Sequence, residues 1–323
     1  MMFNKIIFLW ILILSIMFSL SSSFWFSLWM SLEINMLMFI PIMNSKNFLS
    51  SNSMLNYYVI QSMSSSLFLF SSIMSSIFSA QSLNLIMMMT MLIKLGSAPF
   101  HSWFPQISEG LNFFPFFILT SLQKIIPLYI ISSINNFMLV PFIIMSSMIG
   151  SLGGLNQTSF KKILAFSSIS HLSWIMSLIM INQNFWVVYF IIYTLILMKI
   201  IYMLKTNNSL FIINSNSMKM TMFSKILLFS LFLSMGGLPP FLGFFTKWLA
   251  IMYILKIFPM IIIILITSSL INLFFYMRSL FPMILNLNIM MKSSFYSSNK
   301  ESSYFFVINF MSIIIFIPIM FSM

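Results

Sequence analysis

The sequence predicts an all-α membrane protein of about eleven transmembrane helices. Three observations predict it. Of 323 residues, 60% are hydrophobic and 6% charged, with a mean hydropathy of +1.06; a soluble fold needs far more surface charge. Apolar runs of about 20 residues, the length that crosses hydrocarbon, recur along the chain. The basic residues in the links between runs alternate in the manner that sets membrane topology.

The runs lie near 4–22, 24–43, 56–79, 83–105, 113–134, 137–155, 160–181, 184–205, 225–256, 259–281 and 303–322. The first, MMFNKIIFLWILILSIMF, has one Lys and then an apolar stretch. It lacks a small-residue cleavage site and further spans follow at once, so it reads as a helix rather than a signal peptide. The links Asn44 to Asn56, Thr206 to Ser224 and Asn286 to Ser303 are rich in Ser and Asn. None is long enough for a soluble domain, so residues 1–323 read as a single transmembrane domain. Lys5, Lys46, Lys161, Lys162, Lys205, Lys219, Lys225, Lys292 and Lys300 all fall on one side of this topology, and Lys256 alone breaks the pattern. The positive-inside rule then puts the N-terminus inside, and an odd helix count puts the C-terminus outside.

Two spans are interrupted, at LIKLGSAPFHSWFP (Leu92–Pro105) and SMGGLPPFLGFFTKW (Ser234–Trp248). Gly with Pro breaks a helix, because Pro lacks the N–H and clashes one turn back. Irregular backbone at membrane depth is tolerated only inside protein or beside water. A simple kink is the bland reading; the Lys within about two turns of each break, Lys94 or Lys247, supports the functional one. The breaks fall in the fourth and ninth helices. An offset of five inverts the second unit relative to the first, giving five-helix inverted repeats over about 4–134 and 137–281, the arrangement of many secondary transporters. The helix at 303–322 is left over. In the repeats Lys94 pairs with Lys247 in place, and Glu33 with His171.

Glu33, Lys94, Lys124 and Lys247 stand alone within apolar runs, where a charge costs at least ~2.5–3.5 kcal/mol to insert. The default reading is a proton or ion path. Snorkelling to a headgroup suits Lys5, Lys46, Lys205, Lys256 and Lys292 near span ends. It does not reach Lys94, Lys124 and Lys247, some ~15 Å deep by helical rise. These three are expected to line one polar axis, with Glu33 close to Lys94. His171, with Ser167, Ser168 and Ser170 nearby, reads equally as a relay or as a core His bonded to Ser. His101 reads as structural, Glu109 as a solvated acid and Arg278 as an anchor for the tenth helix. Lys161 and Lys162 read as a positive-inside anchor ahead of a funnel for incoming protons. Lysine suits a proton path because it can deprotonate out of water, whereas Arg does not release its proton.

The absence of Cys excludes thiolate-held Fe–S clusters and CxxC redox motifs. Two His on separate segments cannot build a bis-His haem or multi-His copper site alone. A net charge of +12 spread singly between apolar runs lacks the basic stripe of a nucleic-acid binder. Met and Phe, at 34 and 39 residues, dominate the apolar class, as an AT-rich organellar genome would produce.

KLGSAPFHSWFP (Lys94–Pro105), SLQKIIPL (Ser121–Leu128), NQTSFKKILAFSSISHLSWI (Asn156–Ile175) and GGLPPFLGFFTKW (Gly236–Trp248) resemble the chain 2 family of NADH–ubiquinone oxidoreductase. These are antiporter-like membrane-arm subunits of respiratory complex I, here in the shortened animal form. The resemblance covers nearly the whole chain. It implies a proton-translocating subunit of the mitochondrial inner membrane, with the N-terminus in the matrix and the C-terminus in the intermembrane space. It implies that Lys94 is the central lysine, Glu33 its ion-pair partner, Lys124 a connecting residue and Lys247 the exit-side lysine. It implies partners among the other membrane-arm subunits and the lipids. This chain would bind no cofactor, and NADH, FMN, Fe–S clusters and ubiquinone would belong to other subunits. A stand-alone monovalent cation/proton antiporter subunit is the alternative, and a transport-free scaffold a third reading that the buried charges disfavour.

Overall fold

The computed structural model describes residues 2–45, 47–78, 81–134, 137–181, 184–206 and 222–285. Among these residues it contains helices and no strands. Among the described residues, five helical stretches are long and apolar enough to cross a membrane by themselves: Trp25–Met43, Phe113–Ile134, Phe160–Met180, Phe185–Thr206 and Pro259–Pro282. Large apolar side chains such as Trp10, Met63 and Ile263 face outward, as suits a protein whose surrounding solvent is lipid. The chain forms two compact units, Met1–Ser146 and Ser147–Met323. The predicted helix at 303–322, Lys46, Lys219, Lys292, Lys300 and Glu301 lie outside the described residues.

The first unit holds α1 (Met2–Ser21), α2 (Trp25–Met43), α3 (Phe48–Ile77), α4 (Gln81–Leu95), α5 (Trp103–Gly110), α6 (Phe113–Thr120) and α7 (Leu122–Ile134). Helix α3 packs against α2, α4 and α5, and α7 packs against α1, α4 and α6. The boundary between units falls inside α8 (Val140–Gly154). The second unit continues with α9 (Phe160–Met180), α10 (Phe185–Thr206), α11 (Met222–Gly236), α12 (Leu242–Leu255) and α13 (Pro259–Leu285). Helix α9 is buried along almost its whole length and packs against α10, α12 and α13.

Serine is tolerated throughout these helices because its hydroxyl proton returns to the helix. Ser167, Ser168, Ser170, Ser173 and Ser177 each donate to the carbonyl three residues earlier at 2.6–2.9 Å. This local back-bonding satisfies the hydroxyl where no water competes. The same device extends α3 to Phe48, well ahead of the predicted start at 56. Ser50, Ser51 and Ser53 bond to backbone carbonyls within the new turns, so a stretch that reads as a polar link is helical. Two further boundaries differ. The fourth predicted span, 83–105, resolves into α4, a break and α5, which runs on to Gly110. The predicted continuous span 113–134 is interrupted at Ser121, where ψ is −85°.

Candidate functional site

Both Gly–Pro breaks are built on the same hydrogen-bond pattern. Helix α4 ends at Leu95, and Gly96 takes φ +67°. The Gly96 N–H donates to Ile93 O at 3.1 Å, and the Ser97 N–H to Leu92 O at 3.1 Å. Helix α11 ends at Gly236, and Gly237 takes φ +82°. The Gly237 N–H donates to Ser234 O at 3.1 Å, and the Leu238 N–H to Leu233 O at 3.3 Å. Each is a Schellman cap, in which a left-handed residue turns the chain and satisfies carbonyls that the helix leaves orphaned. Glycine meets the positive φ without a Cβ penalty. Ala98–Pro99 and Pro239–Pro240, at the same offset from each glycine, are cis.

In the first unit Lys94 is 6% exposed and sits in the last turn of α4. Its Nζ donates to the Gln61 carbonyl on α3 at 3.3 Å, and the Gln61 side-chain amide donates back to Lys94 O at 3.4 Å. Glu33 is half-buried midway along α2, and the Lys94 ammonium's hydrogen bond goes to the Gln61 carbonyl rather than to a carboxylate. The break beyond Lys94 is filled by the returning chain. Trp103 Nε1 donates to Ile93 O at 3.1 Å, and a Cβ at Gly96 would meet Phe104 Cβ at 3.0 Å. The Phe104 ring then receives Lys124, whose Nζ lies 5.0 Å from the ring centroid in a cation–π contact. Lys124 is 3% exposed. It stands just past the interruption at Ser121, where Ser121 Oγ bonds Phe117 O at 2.6 Å and the Lys124 N–H reaches only to Ser121 O. Pro127 contributes, because its ring blocks the hydrogen bond to the Gln123 carbonyl. Gln123 ties three helices together: it accepts from Tyr57 Oη on α3 at 3.1 Å and donates to Asn35 Oδ1 on α2 at 2.9 Å.

In the second unit Lys247 lies on α12, beyond its break, and is 6% exposed. Its Nζ reaches back to donate to Met235 O at 3.2 Å and Gly236 O at 2.7 Å. These are final-turn carbonyls of α11, so the ammonium meets the negative end of the helix dipole. The approach requires Gly243, because any Cβ there would overlap the Ser234 carbonyl. Elsewhere in this unit His171 is buried on α9. Its Nδ1 is 2.9 Å from Tyr189 Oη, and its ring centroid lies 4.9 Å from that of Tyr193, both on α10.

The family model described as NADH:quinone oxidoreductase/Mrp antiporter, TM, matches residues 22–272. NADH-ubiquinone oxidoreductase chain 2 of Anopheles gambiae is 43% identical, covering 95% of this chain and 94% of that one. The chain 2 protein of Rhipicephalus sanguineus is also 43% identical, covering 97% and 99%. This chain belongs to the NADH-ubiquinone oxidoreductase chain 2 family. The fold agrees with solved structures at lower identity. A chain of respiratory complex I from Thermus thermophilus superposes with a TM-score of 0.81 at 17% identity, covering 94% of this chain and 75% of that one. A chain of the Mrp complex from Dietzia sp. DQ12-45-1b gives 0.71 at 16% identity, covering 85% and 59%.

Within this chain 2 fold the first unit holds Glu33 on α2 and brings Lys94 and Lys124 to the α4–α5 break, and the second holds Lys247 and His171. Lys94 and Lys247 sit on opposite halves of their breaks, one before its glycine and one after. Lys225, counted among the basic residues of the links, is 5% exposed with no hydrogen bond to its ammonium. Glu109, placed in a link, lies on α5 and is exposed. His101 Nδ1 sits 3.2 Å from Pro99 O, within the first break. Arg278 donates to Gln157 O at 3.1 Å, ahead of α9, and Lys5 donates to Asn44 O at 3.1 Å, beyond the end of α2. Sequence reasoning missed Gln61, Gln123, Asn35, Tyr57, Tyr189 and Tyr193. The available signal was an uncharged polar side chain inside an apolar run, which in membranes ties helices together.

Proposed function

We propose that this chain is a proton-translocating, antiporter-like subunit of respiratory complex I. Its place is the mitochondrial inner membrane among the other membrane-arm subunits and lipids, with the N-terminus in the matrix and the C-terminus in the intermembrane space. NADH oxidation and ubiquinone reduction, with FMN and the Fe–S clusters, belong to other subunits. The observation that carries the reading is a buried lysine at each of two identically capped helix breaks, in a chain 43% identical to complex I chain 2 proteins.

The lysines hold and release protons according to the charges and carbonyls that face them. Glu33 near Lys94 favours the ammonium by Coulomb attraction; a shift of Glu33 away leaves a lysine out of water, which favours release. The switch needs side-chain movement only, because Lys94 is held by one 3.3 Å bond to a neutral carbonyl. Lys124, across the filled break, receives the proton on the cation–π face of Phe104. Lys247 is the corresponding group of the second unit, and His171 supplies a further group that titrates near neutrality. The second reading, a stand-alone monovalent cation/proton antiporter subunit, is favoured by the likeness to the Mrp complex chain.

Native gel electrophoresis of detergent-solubilised membranes separates the two. The chain should migrate with an assembly that oxidises NADH, and sealed vesicles holding that assembly should acidify on NADH addition. A chain that migrates apart from NADH-oxidising activity and exchanges Na⁺ or K⁺ for protons would establish the antiporter reading instead.

A further inference from the structure

In the first unit the helices that carry Glu33 and Lys124 are joined by uncharged side chains that stand beside those charges. Asn35 follows Glu33 by two residues on α2, and Gln123 immediately precedes Lys124 on α7. Gln123 Nε2 donates to Asn35 Oδ1 at 2.9 Å, and Gln123 Oε1 accepts from Tyr57 Oη on α3 at 3.1 Å. Asn35 and Tyr57 are 2% and 1% exposed, so either bond, once lost, leaves a buried polar group unpaired. The tie falls where the backbone itself is interrupted. Helix α7 starts beyond Ser121, and the Lys124 N–H bonds Ser121 O at 3.0 Å. The turn that carries Lys124 therefore does not inherit its position from α6 through an unbroken helical ladder. A second route reaches the same residue. The Tyr57 ring meets Trp103 with centroids 6.4 Å apart, Trp103 meets Phe104 at 5.5 Å, and Lys124 Nζ rests 5.0 Å over Phe104. Tyr57, Gln123, Lys124, Phe104 and Trp103 thus close a ring of contacts, and Asn35 attaches that ring to the helix of Glu33.

We propose that Gln123 is a positioning residue of the proton path. Its two hydrogen bonds hold the turn of α7 that carries Lys124 at a fixed separation from the turn of α2 that carries Glu33, with α3 as the common support. Gln123 carries no proton itself. Because the tie is uncharged, it keeps its geometry while the protonation of Glu33 and Lys124 changes. The interaction between charges depends on their separation and surroundings, so a fixed spacing lets movement of side chains alone set it. The inference rests on the proton-path reading of Lys124.

Gln123→Asn tests it, because a side chain one methylene shorter does not reach both partners. The complex should still assemble on native gels, and NADH oxidation by a water-soluble acceptor should be unchanged. Pumping in sealed vesicles should fall several-fold, with its pH profile displaced from that of the unaltered chain. Adding Asn35→Gln returns the missing length to the α2–α7 bridge, and most of the pumping and the original profile should return with it. Unchanged pumping and profile in Gln123→Asn, or no recovery in the double variant, overturns the inference. So does a lowered melting temperature with an unmoved pH profile, which is what a merely structural glutamine would give. If Gln123→Asn does not assemble, Tyr57→Phe removes one bond of the tie and keeps the ring contacts; it should displace the profile in the same sense, and an unmoved profile there also overturns the role. Lys124→Met separates this inference from the reading beneath it. If Lys124→Met abolishes pumping while Gln123→Asn pumps normally, this inference alone fails. If both pump normally, the reading of Lys124 fails with it.

Discussion

The two broken helices share a cap and differ in what closes it. At the first break Lys94 stands two residues before Gly96, and a neutral amide, Gln61, donates to the Lys94 carbonyl at the helix end. At the second, Met235 occupies the place of Lys94, and a lysine from the far half, Lys247, donates to the helix-end carbonyls itself. The same backbone geometry thus holds one lysine loosely and the other firmly. Lys94 makes a single 3.3 Å bond, and in the proposed mechanism its charge is governed by Glu33. Lys247 is part of the helix terminus, so its charge and the local fold depend on each other. Identical breaks can therefore serve a switching site in one unit and an anchored site in the other.

The sharpest way to break this comparison is to neutralise each lysine. Lys94→Met and Lys247→Met should both abolish pumping. Only Lys247→Met should also loosen the fold, because it orphans two buried carbonyls, at a cost of roughly 1–3 kcal/mol each. Thermal release of the subunit on native gels reads this out. Equal losses of thermal stability in the two variants would remove the distinction between anchored and switching lysines.

A smaller effect comes from the glycines. Alanine at either position carries the left-handed penalty of roughly 1–2 kcal/mol. At Gly237 the new Cβ would meet Lys247 Cδ at 2.7 Å and Nζ at 3.1 Å, atoms of a flexible side chain. At Gly96 it would meet Phe104 Cβ at 3.0 Å and the Trp103 ring at 3.2 Å. Gly237→Ala should therefore impair both pumping and stability, and Gly96→Ala stability more than pumping. Pumping rate and melting temperature measured on both variants check the difference.

What was legible in the sequence follows from this physics. Gly96–Pro99 and Gly237–Pro240 announce breaks because no other residues remove both the Cβ and the N–H. The four isolated charges stand out because the bilayer penalises them, and the path proposed for them starts from that signal. The interruption at Ser121 was hidden: Thr120 and Ser121 disturb the helix only through back-bonding, and Pro127 acts from one turn further on. The first turns of α3 were hidden because Ser and Asn favour links in water, whereas here their hydroxyls bond to the helix. The burial of Lys225 was hidden, because position near a span end says nothing about what packs over the side chain. The tie from Asn35 through Gln123 to Tyr57 joins residues far apart in sequence, and pattern along one helix cannot reveal its partners.

Lys247→Arg tests the central claim most directly, because it separates a fixed charge from a releasable proton. A guanidinium can still donate to the Met235 and Gly236 carbonyls, so cap and assembly should survive, but it does not deprotonate at working pH. Pumping in sealed vesicles is measured against NADH oxidation by a water-soluble acceptor, with Lys256→Ala, near the end of α12, as the mild control. The account predicts that Lys247→Arg assembles, accepts electrons from NADH and does not pump. Pumping at the rate of the unaltered chain would contradict it, leaving Lys247 as a fixed charge and moving the proton to another titrating group, His171 first.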